Sequence, residues 1–132
     1  MKTFKLSIST PTGHKLEMED IRLLTADLLE GRIGIMANHT PLVSSLKISR
    51  FKIINKNNNE TIGVVKGGIF DVKGDEVIIL TPNFCMQYEV KPENCENEIK
   101  NVKYQMQSDI KDAEAKSLED RLIYAKFKLD LA

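Results

Sequence analysis

The chain has 132 residues, of which 42% are hydrophobic and 29% charged. That size and balance fit one compact domain, or a small domain with an appendage, and exclude both two full-sized domains and a disordered chain. The 19 basic and 19 acidic residues cancel, and residues 1–90 (11 basic, 10 acidic) and 91–132 (8 and 9) are each near balance, which argues against a nucleic-acid or anionic-membrane partner.

Phe4, Leu6 and Ile8 alternate with polar residues and predict a half-buried strand ending at Thr10-Pro11-Thr12-Gly13. Further strands are expected at Asp20 to Thr25, around Ile33-Gly34-Ile35, and from Ile48 through Phe51 to Ile54. The tract Asn55 to Asn59 predicts a turn into Thr61 to Val65. Ile69 to Val72 follows Gly67-Gly68, and Lys73-Gly74-Asp75 predicts a tight hairpin into Val77 to Leu80. Short strands joined by turns, without intervening helical patterns, give an all-β, antiparallel sandwich or barrel over residues 1–88.

The periodicity then changes. Cys95, Ile99, Val102, Met106, Ile110 and Ala113 form one helical stripe, and Pro92 suits the first turn. Leu118, Leu122, Ala125 and Leu129, widened by Ile123 and Phe127, form a second. Ser117 with Asp120 resembles a capping-box start, so the break is expected near Ala115 to Ser117. Glu96/Lys100 and Asp112/Lys116 are spaced as i,i+4 pairs. Residues 89–132 therefore read as a helical hairpin of two antiparallel helices, with a stripe continuous enough to extend.

The longest apolar runs, Val77–Leu80 and Leu122–Ala125, have four residues, against the about 20 a membrane helix needs. Met1 to Lys5 lacks the apolar stretch of a signal peptide. The expectation is a protein without direct membrane insertion that stays where it is made, with Cys85 and Cys95 reduced and structural.

Catalytic motifs are missing. Gly31-Arg32-Ile33-Gly34 has the wrong spacing for a phosphate loop, and no metalloprotease or nucleophile-elbow pattern occurs. His14 and His39 are the only histidines; His39, beside Thr40-Pro41, suits a loop-shaping donor better than a catalyst. Glu17, Glu19 and Asp20 read as a solvated edge or turn. No catalytic residue, metal ligand or cofactor site is expected, and a binding or mechanical role is the better starting point.

The segment Gly31-Arg32-Ile33-Gly34-Ile35-Met36-Ala37-Asn38-His39-Thr40-Pro41-Leu42-Val43 resembles the G-E-L-G-I-x-P-G-H-x-P-L-[VL] stretch of the epsilon subunits of F-type ATP synthases. Gly67-Gly68-Ile69-Phe70-Asp71-Val72, followed by Val77-Ile78-Ile79-Leu80, is similar to that family's second glycine block, and Thr10-Pro11-x-Gly13 to its opening turn. The physical readings agree in part. Gly34 within a strand permits a bulge or close backbone approach, Pro41 stiffens a bend, and Gly67-Gly68 allows packing where a Cβ would clash.

The resemblance implies a non-catalytic rotor subunit. Its sandwich docks on the central-stalk gamma subunit and touches the c-ring, coupling ion translocation to ATP synthesis. It would then be peripheral on the cytoplasmic face of a bacterial cell membrane. Gly31, Arg32, Ile33 and Gly34 carry over to the c-ring contact, and His39, Thr40, Pro41 and Leu42 to the gamma contact. The helices can rise into the catalytic head and restrain ATP hydrolysis, with Arg121, Lys126 and Lys128 meeting acidic groups of the alpha and beta subunits.

Departures from the family pattern matter too. Arg32 replaces the usual Glu, and Ala37-Asn38 the usual Pro-Gly, where Asn tolerates a positive φ. The ATP-binding [IL]-D-x-x-R-A motif of some relatives falls on Val90, Lys91, Asn94 and Cys95, which lack its Asp and Arg. The alternative reading is a free-standing nucleotide-sensing or ligand-binding module of the same architecture. A small hydrolase using His39 and a carboxylate is a third.

Overall fold

The computed structural model describes residues 2–107 and 112–132. Apolar alternation drives the first strand, β1 (Phe4–Ser9), which buries Phe4, Leu6 and Ile8. The second, β2 (Lys15–Leu28), is far longer than the expected Asp20–Thr25. Asp20 adopts φ 58° and the register shifts between Ile21 and Leu23, so the strand bends. Its first half pairs with β1; its second half pairs with β3 (Gly31–Ile35) and β4 (His39–Asn55).

The strand β5 (Glu60–Gly74) fuses two expected strands. It pairs with β4 in one unbroken register from Leu42↔Val72 to Ile54↔Glu60. The intervening turn follows from its asparagines: Asn55 Oδ1 accepts the backbone N–H groups of Asn57 and Asn59, and Asn58 takes φ 62°. A tight turn leads to β6 (Glu76–Leu80), and a short strand not expected from the sequence, β7 (Phe84–Met86), pairs with β5 at Gly63–Val65.

The strands run in the order β1-β6-β5-β4-β2-β3, and a further β1–β2 pairing closes them into a flattened, barrel-like sandwich. Every pairing is antiparallel except β1–β6, which is parallel. That pair is the exception in the expected antiparallel sandwich; the long stretch between the two strands serves as the crossover that parallel neighbours need. Phe51, Phe70 and Phe84 fill the interior with Ile21, Leu24, Ile53 and Ile79.

Gly68 is the tightest point. Its φ is 122°, and a Cβ there would lie 2.1 Å from the Leu80 carbonyl oxygen and 2.9 Å from Thr81 Cα. It sits where β5 passes from its β6 partners to its β7 partners. Gly34 behaves otherwise: it is in regular register with Thr25, and a Cβ would meet only Leu23 Cδ1 at an ordinary 3.6 Å. The bulge or close approach expected there does not exist.

A single 3-10 turn, Gln87–Glu89, leads into α1 (Pro92–Met106) and α2 (Asp112–Leu131). Pro92 opens the first helix as expected. The second starts at Asp112 rather than Ser117, because Ala113 to Lys116 are strong helix formers and Ser117 is one more exposed turn position. Among the described residues, the i,i+4 pair that forms is Lys116–Asp120 at 3.6 Å, not Glu96–Lys100. Ile110 and the side chain of Asp112, expected in the stripe and in a pair with Lys116, lie outside the described residues.

Among the described residues, no helix is long and apolar enough to cross a membrane. The hairpin lies on the sandwich through α2: Tyr124, Phe127 and Leu131 pack against Ile48, Ile62, Val64 and Val90. Gln87 Nε2 donates to the Leu131 carbonyl at 2.9 Å, fastening the end of α2 to the linker.

Candidate functional site

Three surfaces carry the residues singled out by sequence. The first is the end of the sandwich formed by the β2–β3 turn. Gly31 enters β3 at φ 137°, and Leu29 projects beside it into solvent. Asp27 and Arg32 are cross-strand partners, and Arg32 Nε donates to Asp27 Oδ1 at 2.9 Å. This bond holds the exposed guanidinium above its ordinary pKa, with Coulombic attraction to Asp27 adding to it. The charge that departs from the family pattern is thus answered within the chain.

The second surface begins at the β3–β4 loop. Asn38 adopts φ 64°, the conformation for which an Asn can replace Gly. The His39 amide donates to the Met36 carbonyl at 3.3 Å, and its Nδ1 donates to the Thr40 carbonyl at 2.7 Å. The ring therefore stiffens its own loop. Thr40 and Pro41 are exposed, whereas Leu42 turns inward and packs against the core, so it anchors the loop rather than displaying it.

Sequence reasoning missed what lies next to Pro41. Along β4, Val43 and Ser45 follow it on the outward face. Ser45 faces Ile69 of β5, Ile69 faces Leu80 of β6, and Leu80 faces Ser9 of β1. Val43, Ile69 and Leu80 are 69%, 48% and 50% exposed. A shallow depression at one side is lined by Pro11, Ile69, Leu80 and Pro82. The signal was present in Leu42-Val43, Ile69-Phe70 and Ile78-Ile79-Leu80: in a strand, adjacent apolar residues point to opposite faces, so one of each must emerge.

The third surface is the hairpin. Arg121 binds Glu98 across the two helices, with Nε 2.8 Å and Nη2 2.7 Å from Oε1. Lys128 Nζ sits 4.7 Å above the Tyr124 ring. Of the three cations assigned to the last helix, Lys126 is exposed, whereas Arg121 and Lys128 are half-buried. Val90 is half-buried against α2, Cys95 is buried, and Lys91 and Asn94 are exposed.

His14 is remote in role from His39. Its ring stacks on Phe84 at 4.1 Å and its Nε2 lies 3.3 Å from Glu89 Oε2. Cys85 and Cys95 are both free, and burial pushes the Cys85 thiol above its ordinary pKa.

Residues 3–87 match the family model described as ATP synthase, Delta/Epsilon chain, beta-sandwich domain. The chain is 38% identical over 80 residues to the sodium ion specific ATP synthase epsilon chain of Acetobacterium woodii, and 36% identical over 81 residues to the ATP synthase epsilon chain of Bacillus thuringiensis. Each match spans 61% of this chain and 59% of the relative.

Its fold is similar to a chain in the Euglena gracilis mitochondrial ATP synthase structure containing OSCP, F1 and the c-ring. The TM-score is 0.75 at 18% identity, over 95% of this chain and 78% of that one. A chain of the Tetrahymena thermophila mitochondrial ATP synthase central stalk and c-ring gives a TM-score of 0.65 at 16% identity, over 98% and 96%. The matched sandwich, with its glycine crossing at Gly68 and its His39 loop, makes this chain a member of the ATP synthase delta/epsilon chain family.

Proposed function

We propose that this chain is the epsilon subunit of an F-type ATP synthase, a non-catalytic part of the central stalk. In this reading it links the gamma subunit to the c-ring, peripheral to the cytoplasmic face of a bacterial cell membrane. The observation that carries the reading is the outward face of β4, β5, β6 and β1, where Val43, Ile69 and Leu80 stand exposed. Large apolar side chains grouped on a rigid sheet favour a protein partner, and a stiff surface loses little entropy on docking. This face would meet gamma, and the turn with Gly31, Arg32, Ile33 and Gly34 would meet the c-ring.

In the same reading, the hairpin leaves the sandwich and restrains hydrolysis in the catalytic head. Its cations would then exchange internal partners, Glu98 for Arg121 and the Tyr124 ring for Lys128, for acidic groups of alpha and beta. Nucleotide binding through Val90, Lys91, Asn94 and Cys95 forms no part of it.

The test is a pulldown of purified gamma by the full chain and by a Val43→Asp, Leu80→Asp double variant. Both positions are exposed, so the fold should persist. A loss of affinity of about tenfold or more is expected from charging the centre of an interface. Undiminished capture of gamma by the folded variant would overturn the assignment of this face. Removing residues 91–132 should raise ATP hydrolysis by the assembled complex, and an unchanged rate would remove the inhibitory part.

A further inference from the structure

The hairpin's main anchor on the sandwich contains a contradiction. Tyr124 is 5% exposed and its ring packs with Val64 and Leu131, as an aromatic anchor should. Its hydroxyl oxygen, however, is fully enclosed and has no hydrogen-bond partner among the described residues. The titratable groups that act on it, Cys85, Glu89 and Cys95, do not bond to it. Glu89 Oε1 accepts the Met86 amide at 3.0 Å, while Glu89 Oε2 faces His14 at 3.3 Å. Gln87 Nε2 is given to the Leu131 carbonyl, and Cys85 Sγ donates to the Met86 carbonyl at 3.5 Å. Lys128 meets the face of the ring rather than its oxygen.

A buried donor without an acceptor loses its hydrogen bonds to water and gains none in return. Phenylalanine would keep every ring contact and avoid that loss.

We propose that the Tyr124 hydroxyl is a release element: it weakens the docked hairpin from within and sets how readily α2 leaves the sandwich. Ring and hydroxyl act in opposite directions. The ring selects the docked position; the hydroxyl, which regains water when α2 lifts, keeps the docked state shallow. A two-state element responds to partners only while its states lie within a few kcal/mol, and this single oxygen narrows the gap. The inference rests on the reading that the hairpin moves.

Amide hydrogen exchange of the 132-residue chain, read over residues 112–131, tests it. Tyr124→Phe should slow exchange in α2 about tenfold, the effect of relieving one buried unpaired hydroxyl, and leave the core strands unchanged. Tyr124→Ala, which removes the ring as well, should accelerate it. Exchange in Tyr124→Phe equal to or faster than in the parent chain would overturn the proposal, because the hydroxyl would then be neutral or favourably bonded. Slower exchange, combined with hydrolysis indifferent to removal of residues 91–132, upholds the release element and removes the inhibitory reading. The reverse pattern removes the release element alone.

Discussion

The sandwich and the hairpin are held by different kinds of contact. In the sandwich, strands close on themselves and surround an interior of aliphatic residues and three fully buried phenylalanines. Among the described residues, the hairpin meets that body through one small cluster centred on Tyr124, Leu131 and Val64 and a hydrogen bond from Gln87, while an ion pair joins its two helices to each other. Opening free energy follows buried apolar contact, so the helices should lift while the strands stay closed. A rigid body carrying a weakly docked arm is what this asymmetry builds.

Breaking the rigid half should have the largest effect. Gly68→Val places a branched side chain on the Leu80 carbonyl and forces a β-branched residue to φ 122°. About 3 kcal/mol of sandwich stability should be lost, seen as a lower urea midpoint, and gamma capture should weaken with it. A midpoint unmoved by this change would mean that β5 and β6 slide apart freely.

High pH should separate the two regions next. Burial, helped by the nearby Cys85, Glu89 and Cys95, pushes the Tyr124 phenol well above its ordinary pKa of about 10. A raised folded-state pKa means the docked state prefers the protonated form. Its contribution is therefore complete below the ordinary phenol range and declines as pH climbs past it. Exchange in α2, corrected for its intrinsic pH dependence, should accelerate more steeply above pH ~10 in the parent chain than in Tyr124→Phe. Parallel profiles would place the ionisation elsewhere.

Arg121→Met removes the pair with Glu98, whose side chains are both about one-third exposed. Solvent screening limits its worth to about 1 kcal/mol. Exchange in α1 and α2 should quicken severalfold while the sandwich melts as before. A fall in the sandwich midpoint would show that the two regions unfold as one.

The smallest effect is expected at Arg32. Its side chain is exposed and solvent screens its bond to Asp27, so Arg32→Gln should leave the melting temperature almost unmoved. A weaker c-ring contact at unchanged melting temperature would mark the residue as a docking group, and an unchanged contact would leave it as a partner of Asp27 only.

Much of this architecture was legible in the order of residues. Phe4-x-Leu6-x-Ile8 predicts β1 residue by residue, because a strand with one wet face must alternate. Pro92 marks the start of α1, and the asparagine tract its turn, because both act through local backbone preference. Less was legible where strands serve two layers. Lys15–Leu28 and Glu60–Gly74 read as fragments, since their bend at Asp20 and crossing at Gly68 interrupt the pattern without ending the strand. The start of α2 was misread for a related reason: Ser117 and Asp120 satisfy a local capping rule inside a helix already propagating from Asp112.

The sequence by itself determined which faces are apolar, where the chain changes from strands to helices, and that no catalytic constellation is spelled out. Tertiary structure alone decided that β1 lies parallel to β6, that Val43, Ile69 and Leu80 share one outward face, and that Arg121 spends its charge on Glu98. It also decided that Tyr124 is enclosed, its hydroxyl without a hydrogen-bond partner among the described residues. Periodicity and turn propensity act over a few neighbouring residues, whereas pairing partners, shared faces and hydrogen-bond satisfaction depend on which distant segments arrive at the same place.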